Sequence, residues 1–427
     1  MMTMKNSRIK GIMLYVLTFL FLVSCSENDE ILCGNDKSND KVQSERISIE
    51  EAMQIAEESA ALFHNKDKKV NADGAAFHYV EEKHMVKAVC DGATTRSSQS
   101  AAEDTLLYLV DYKDDMGFAI ISASRETPSL LGIVENGNSD MQELAENENF
   151  VFLLENMKEY VRSHPGIPIT PVYSYIYEVE AQVSPMLEVC WGQRGIEGDD
   201  CPNGIAGCAP IAIAQLMSYY SYPENIDILY GNSPIYNYSL DWDDMKGHVF
   251  DHNVIYGLNH CIATNGAHPM ITKLCRQLGY SAGSLYLTNK TSTTQSGMLS
   301  CLMDYGYDVT TSWLSYSQSS LVSSLNSSRP VIMIGQTTDS IGHAWVVDGY
   351  KYYKITKTYT FGDYPDEITY SYYNHINWGW DGRANGYFLQ NVFSTNSPYN
   401  NAYDYIGSIT NYNFTLTLRQ IAPYPIE

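Results

Sequence analysis

From Gly207 to Met217 the chain is apolar on almost every side of a 3.6-residue turn, the pattern of a buried helix. Pro210 suits the first turn, where a missing N–H costs nothing. Gly207 allows a sharp turn just before it, and Tyr222-Pro223 marks its far end. Upstream, Ser48 and Glu51 form a capping box that predicts a helix to about Phe63. Leu106 to Val110 and Gly117 to Ser122 read as strands joined by an Asp-rich turn, Leu130 to Val134 as a third strand, and Phe150 to Arg162 as an amphipathic helix. Ala344 to Val347 is an apolar run of core-strand type ending at Asp348-Gly349.

These elements divide the chain. Lys5, Arg8 and Lys10 precede an apolar run, Gly11 to Val23, which is short for a membrane span and reads as an export signal over residues 1–24. Leu22-Val23-Ser24-Cys25 resembles a bacterial lipoprotein lipobox, and the acidic stretch after it resembles surface-export signals. The resemblance implies a lipid on Cys25 and a tether over residues 25–45. A small α+β domain follows over 46–164, without a cluster of catalytic residue types. Pro165, Pro168 and Pro171 then make an exposed, protease-accessible connector over 165–185. The Gly-, Ser-, Tyr- and Trp-rich remainder, 186–427, holds the motifs.

Composition narrows the partners. The chain has 427 residues, 44% of them apolar and 18% charged, enough for two or three domains with large cores. The 34 tyrosines read as composition bias. A net charge of −23 with no long basic run argues against nucleic acid or anionic lipid as the partner. The nine cysteines show no CxxC spacing, so neither a zinc nor a thioredoxin motif is present, and no metal or cofactor is implied. They are too sparse for a disulfide scaffold. Cys190 and Cys201 could pair, though nothing demands it.

Four segments carry chemistry in order: Val189-Cys190-Trp191-Gly192-Gln193, the Cys208 helix, Gly342-His343-Ala344-Trp345, and His375-Ile376-Asn377-Trp378-Gly379-Trp380. A thiol at a helix N-terminus sees unpaired N–H groups and the positive end of the dipole, both of which favour thiolate. Thiol catalysis of acyl transfer further needs a base, a group to orient that base, and oxyanion donors. His343, at the start of a rigid strand, is the natural base. Asn377 can accept its other ring N–H, Trp378 can shield that bond from water, and Gln193 can donate to the oxyanion beside the Cys208 N–H. Positions 208 and 343 lie 135 apart, inside the roughly 130–150 residues expected of papain-like enzymes. Taken singly, a strand histidine, a loop asparagine or a tryptophan is more often structural. The ordered set is what points to catalysis.

The chain resembles the streptopain family of bacterial papain-like cysteine peptidases. The resemblance rests on Trp191-Gly192-Gln193, Gly207-Cys208-Ala209 with Gln215-Leu216-Met217 and Tyr222-Pro223, Gly342-His343-Ala344, and Asn377-Trp378-Gly379-Trp380 with Asn385-Gly386-Tyr387-Phe388. Gly117 to Ala123 with Leu130-Leu131-Gly132 resembles the family's propeptide. The resemblance implies an α+β, papain-like fold: a helical half carrying Cys208 packed on an antiparallel half carrying His343 and Asn377, preceded by an α+β propeptide. It implies an endopeptidase zymogen acting on proteins or peptides, inhibited by its own propeptide until a cut in the connector. Cys208 would be nucleophile, His343 base and acid, Gln193 an oxyanion donor, and Asn377 and Trp378 the orienting and shielding pair. Gly342, Ser284 and Trp380 would line the substrate cleft. The implied location is export with a lipid anchor in the bacterial outer membrane, at the cell surface, or release after maturation.

Several positions depart from the family pattern. Arg194-Gly195-Ile196 follows the glutamine in place of a Pro-Tyr-Asn run, Pro210 replaces a small residue, and Asp381 stands where glycine is common. Tyr350 to Tyr373 reads as an inserted hairpin near the cleft. Rival readings are a thiol amidase or transglutaminase-like enzyme, and a non-catalytic binding lipoprotein on a protease scaffold.

Overall fold

Ser48 opens helix α1 (Ile49–Phe63) as its capping box requires. Its N–H donates to Glu51 Oε2 at 2.8 Å, and the Glu51 N–H returns to Ser48 Oγ at 3.2 Å. One face of α1 is a stripe of buried alanines, Ala52, Ala56 and Ala60. Such small side chains let the helix lie close on strands β2 (Thr105–Asp111), β3 (Phe118–Ser122) and β4 (Leu130–Val134). Tyr108 and Tyr112 donate to the carbonyls of Ile47 and Ala56, both at 2.9 Å. Strand β1 (Val86–Cys90) completes an antiparallel meander. Helix α2 (Glu148–Arg162) buries Phe150, Leu153, Leu154, Met157 and Val161, the apolar face expected of it. The structure, a computed structural model, describes residues 46–63, 86–90, 105–113, 116–139, 148–163, 173–230, 233–247, 249–251, 260–262, 267–309, 312–336, 342–359, 365–390, 392 and 417–426. The export signal, the tether and Cys25 lie outside the described residues, as does the proline-rich part of the connector.

The second half splits into helices and sheet. Helices α3 (Cys208–Tyr220), α4 (Ala267–Ser281) and α5 (Gln295–Asp304) pack into one apolar core with Trp191, Ile332, Ala344 and Val346. Gly207 precedes α3 at φ +91°, a turn open to glycine, and Ser221 closes the helix in the left-handed region. The sheet runs through β6 (Val331–Gln336), β7 (Gly342–Tyr359), β8 (Glu367–Asn377), β9 (Gly386–Leu389) and β10 (Thr417–Ile421), all antiparallel to their neighbours. This is the α+β arrangement anticipated, with Cys208 on the helical side and His343 and Asn377 on the sheet.

The two halves share one sheet. Strand β9 pairs with β4, placing Gly386 opposite Val134, Tyr387 opposite Ile133 and Phe388 opposite Gly132. The order β1-β2-β3-β4-β9-β8-β7-β6-β10 therefore runs unbroken through both. Close approach depends on Gly386, where an added Cβ would sit 2.0 Å from the Ile133 carbonyl oxygen. At the same seam the Phe63 ring sits 5.2–5.4 Å from the rings of Tyr353, Tyr373 and Tyr387, a burial that stabilises the contact by about 1.5–3 kcal/mol. Lys351 Nζ reaches the last carbonyls of α1, Leu62 at 2.7 Å and Phe63 at 3.4 Å. A cation suits that end of a helix.

Two expectations change. The second half of the connector is strand β5 (Tyr173–Val183), hydrogen-bonded along β7 from Val183 opposite Tyr350 to Tyr173 opposite Tyr359. Its side chains from Tyr175 onward are exposed or half-buried, but its backbone is paired. The inserted hairpin is present as the distal parts of β7 and β8. It is not beside the cleft along its length: Tyr359 lies 16 residues beyond His343 on β7, roughly 50 Å of strand at about 3.3 Å per residue.

Candidate active site

Cys208 is the first residue of α3, and its sulfur rests against β7, where the backbone N–H of Ala344 points at it together with those of Cys208 and Ala209. The helix-terminus argument alone would favour thiolate. Burial is the larger effect and pushes the Cys208 thiol up, with the three N–H groups only partly offsetting it. In this arrangement, with the N-terminal domain docked, the thiol is neutral.

His343 precedes Ala344 and is buried among tryptophans. Trp380 lies 5.1 Å from it, Trp345 6.0 Å and Trp378 6.2 Å between ring centroids, the last two nearly parallel to the imidazole. Its Nε2 is 2.9 Å from the Trp378 carbonyl oxygen. A carbonyl only accepts, so Nε2 carries the hydrogen and Nδ1 holds the lone pair. Nδ1 is buried and has no partner among the described residues. Burial lowers His343 to about 4, against the pull of the Trp378 carbonyl, so the ring is neutral at ordinary pH. No hydrogen bond joins it to Cys208 among the described residues.

The structure divides the orienting pair differently from expectation. The backbone of Trp378 holds His343. The Asn377 side chain does not reach the imidazole: its Oδ1 accepts from Gln215 Nε2 at 2.9 Å and from the Gly379 N–H at 3.1 Å, and its Nδ2 donates to the Val189 carbonyl at 2.8 Å. Trp378 N–H in turn donates to Asn385 Oδ1 at 3.0 Å. Trp380, expected on the cleft wall, is buried against the imidazole. Trp345 joins this box and could have been found in the sequence, since it shares the strand face of His343 two residues on.

Gln193 is half-buried, and its carbonyl accepts from the Ala206 N–H at 2.8 Å, which ties it to the loop leading into Cys208. Beside it, the Gly192 N–H donates to Glu197 Oε1 at 3.3 Å. Burial, then the charge of Asp381, pushes Glu197 up to about 8. Asp381 lies directly over Gly192, which accounts for the close packing at that departure from the family pattern. Gly342 is exposed at the head of β7, next to His343. Ser284 is hydrogen-bonded to Thr293 at 2.7 Å, across the base of the hairpin that pairs Leu285–Tyr286 with Thr291–Ser292. There Thr291 abuts Gly207 and donates to the Ile205 carbonyl at 2.7 Å. Cys190 is disulfide-bonded while Cys201, Cys275 and Cys301 are free thiols, so the Cys190–Cys201 pair does not form.

A thiol at the head of a buried helix, set against the strand whose second residue is an imidazole with one nitrogen unengaged among the described residues, defines a papain-like cysteine peptidase architecture. Residues 189–388 match the Peptidase C10 family, and residues 44–161 match the Spi protease inhibitor family. These matches support the peptidase C10, or streptopain, family, with an inhibitor-like propeptide in front of the peptidase. It is 23% identical over 308 residues to streptopain of Streptococcus pyogenes serotype M28, covering 64% of this chain and 71% of the relative. It is 24% identical over 341 residues to the thiol protease/hemagglutinin PrtT of Porphyromonas gingivalis, covering 69% of this chain and 35% of that protein. Among solved structures, a fragment of prointerpain A from Prevotella intermedia aligns over 81% of this chain and 99% of its own length, at 18% identity and a TM-score of 0.47.

Proposed function

We propose that the chain is an exported cysteine endopeptidase made as a zymogen, with Cys208 as nucleophile and His343 as general base and acid. The observation that carries this reading is the fixed tautomer of His343: its Nε2–H is committed to the Trp378 carbonyl, which leaves Nδ1 as the proton acceptor on the strand against which the thiol rests. In the reaction Nδ1 takes the Cys208 proton and the sulfur attacks the scissile carbonyl. The oxyanion is met by the Cys208 N–H and the Gln193 amide. His343 returns the proton to the leaving amine, which departs and leaves a thioester. Water then attacks the thioester, giving its proton to Nδ1 and restoring the thiol as the acid product leaves.

In this reading the neutral thiol and neutral imidazole of the docked chain are the latent state. Activation is a cut in the connector. Strand β5 is paired along its length, and a protease needs unpaired extended chain, so we place the cut in residues 165–172. Strand β5 then stays with the peptidase. Cys25 is the proposed lipid anchor and Gly342 and Ser284 the proposed cleft-lining positions, the latter through its hairpin. The deciding experiment compares the matured enzyme on casein and on peptidoglycan. Casein hydrolysis alone supports an endopeptidase, whereas peptidoglycan cleavage alone makes it a cell-wall amidase. Gln193→Ala should lower kcat roughly 10²–10³-fold with little change in KM, the usual cost of one oxyanion donor; steady-state kinetics on a fluorogenic peptide checks it.

A further inference from the structure

Gln215 is a fully buried amide in a helix that is otherwise apolar there. It lies seven residues after Cys208, two turns along the same face of α3. Its Nε2 donates to the Trp191 carbonyl at 3.1 Å and to Asn377 Oδ1 at 2.9 Å. The amide orientation is settled by its surroundings. A carbonyl only accepts, and Asn377 Oδ1 is fixed as an acceptor by the Gly379 N–H, with Asn377 Nδ2 committed to the Val189 carbonyl. Both Gln215 hydrogens are therefore used, and its Oε1 is left without a partner among the described residues. A buried amide oxygen left unsatisfied is costly, and an apolar side chain of the same volume would avoid that cost.

We infer that Gln215, acting with Asn377, is a positioning residue that sets the three parts of the active site against one another. One of its bonds holds the segment that runs from Trp191 through Gly192 to Gln193. The other holds the turn whose next residue, Trp378, presents its carbonyl to His343. The helix it belongs to carries Cys208. The nucleophile, the oxyanion side chain and the orienter of the base thus meet in one amide pair that touches no substrate. This inference rests on the cysteine-peptidase reading above. It also gives Asn377 a role different from direct contact with the imidazole.

The test uses full chains matured by wild-type enzyme added in trans and then purified. Gln215→Met keeps the volume and removes both bonds. Gln215→Glu keeps the shape; a carboxyl buried against two acceptor oxygens holds its proton and donates one bond. Active-site titration counts competent molecules, so kcat refers only to those. The expected order of kcat is wild type, then Glu, then Met, with the Met variant down roughly 10–100-fold and KM within about threefold, as for a small misplacement of reacting groups. The rate of Cys208 alkylation by iodoacetamide against pH should move its lower limb up by about one pH unit in the Met variant, because the thiolate loses an aligned imidazolium. An unchanged alkylation profile and an unchanged kcat per titrated site would overturn the inference even if the variant melts earlier. A wild-type enzyme that cleaves no peptide would instead overturn the cysteine-peptidase reading.

Discussion

Cys208→Ala chains should remain uncut and hydrolyse no casein, while the wild type should trim itself to a fragment beginning between residues 165 and 173. The expected loss in kcat/KM is at least about four orders of magnitude, because the variant has no atom able to form the acyl-enzyme and keeps only binding and oxyanion donors. The fold should survive, since alanine at the head of α3 removes one sulfur without touching Gly207 or the helix ladder. Intact mass followed over time under reducing conditions reads both events. Wild-type enzyme added to the variant should cut it at the same place, showing that the connector is exposed and only the nucleophile is missing. A variant that trims at the wild-type rate would remove Cys208 from the mechanism. A fragment beginning inside β5 would remove the protection we assign to that strand.

What the sequence could show follows from what each feature depends on. The capping box of α1 and the limits of α3 depend on neighbours three or four residues away, and both were legible. The short apolar runs that became strands β2, β3 and β4 of the propeptide were legible for the same reason. The pairing of β4 with β9 was not, because partner choice between edges some 250 residues apart is set by tertiary fit. Gly386 and Gly132 permit that fit, but many glycines in a sequence look alike. The connector carried prolines and read as an exposed joint; nothing local announces that Tyr173–Val183 completes a sheet edge with β7.

At the site, residue types were legible and directions were not. Asn377 was a sound acceptor for the imidazole on chemical grounds, yet its side chain points to Gln215, and the residue after it supplies a backbone carbonyl instead. Only the strand's register decides that. The neutral state of Cys208 was also hidden. The helix terminus is visible in sequence, whereas the burial that outweighs it comes from packing against β7.

The seam between propeptide and peptidase holds a charged group whose removal should cost more stability than any other single change considered. His375 is buried, with Nδ1 2.6 Å from Asp348 Oδ1 and Nε2 3.4 Å from Glu135 Oε2. Carboxylates accept, so both ring nitrogens carry hydrogen and the ring is an imidazolium. Burial alone would lower His375. The charge and hydrogen bond of Asp348, then those of Glu135, overcome it and raise His375 to about 10. Asp348 Oδ2 also accepts from the backbone N–H groups of Met186 at 3.1 Å and Leu187 at 2.9 Å, just after β5. One cation therefore joins the propeptide, through Glu135, to the first residues of the peptidase. His375→Gln leaves the buried Asp348 without its counter-charge and should destabilise the uncut chain by about 3–5 kcal/mol, the usual result of breaking one side of a buried pair. The sign with pH is fixed by the shift. The folded pKa lies above the unfolded value, so the stabilisation is complete below about 6.5 and is lost as pH rises through about 10. Urea unfolding in the Cys208→Ala background, which prevents trimming, should show the gap between His375→Gln and its parent at pH 6 and its closure toward pH 10. A gap of the same size at both pH values would mean that the imidazole serves only to fill space between β7 and β9, and that the charge plays no part in holding the propeptide.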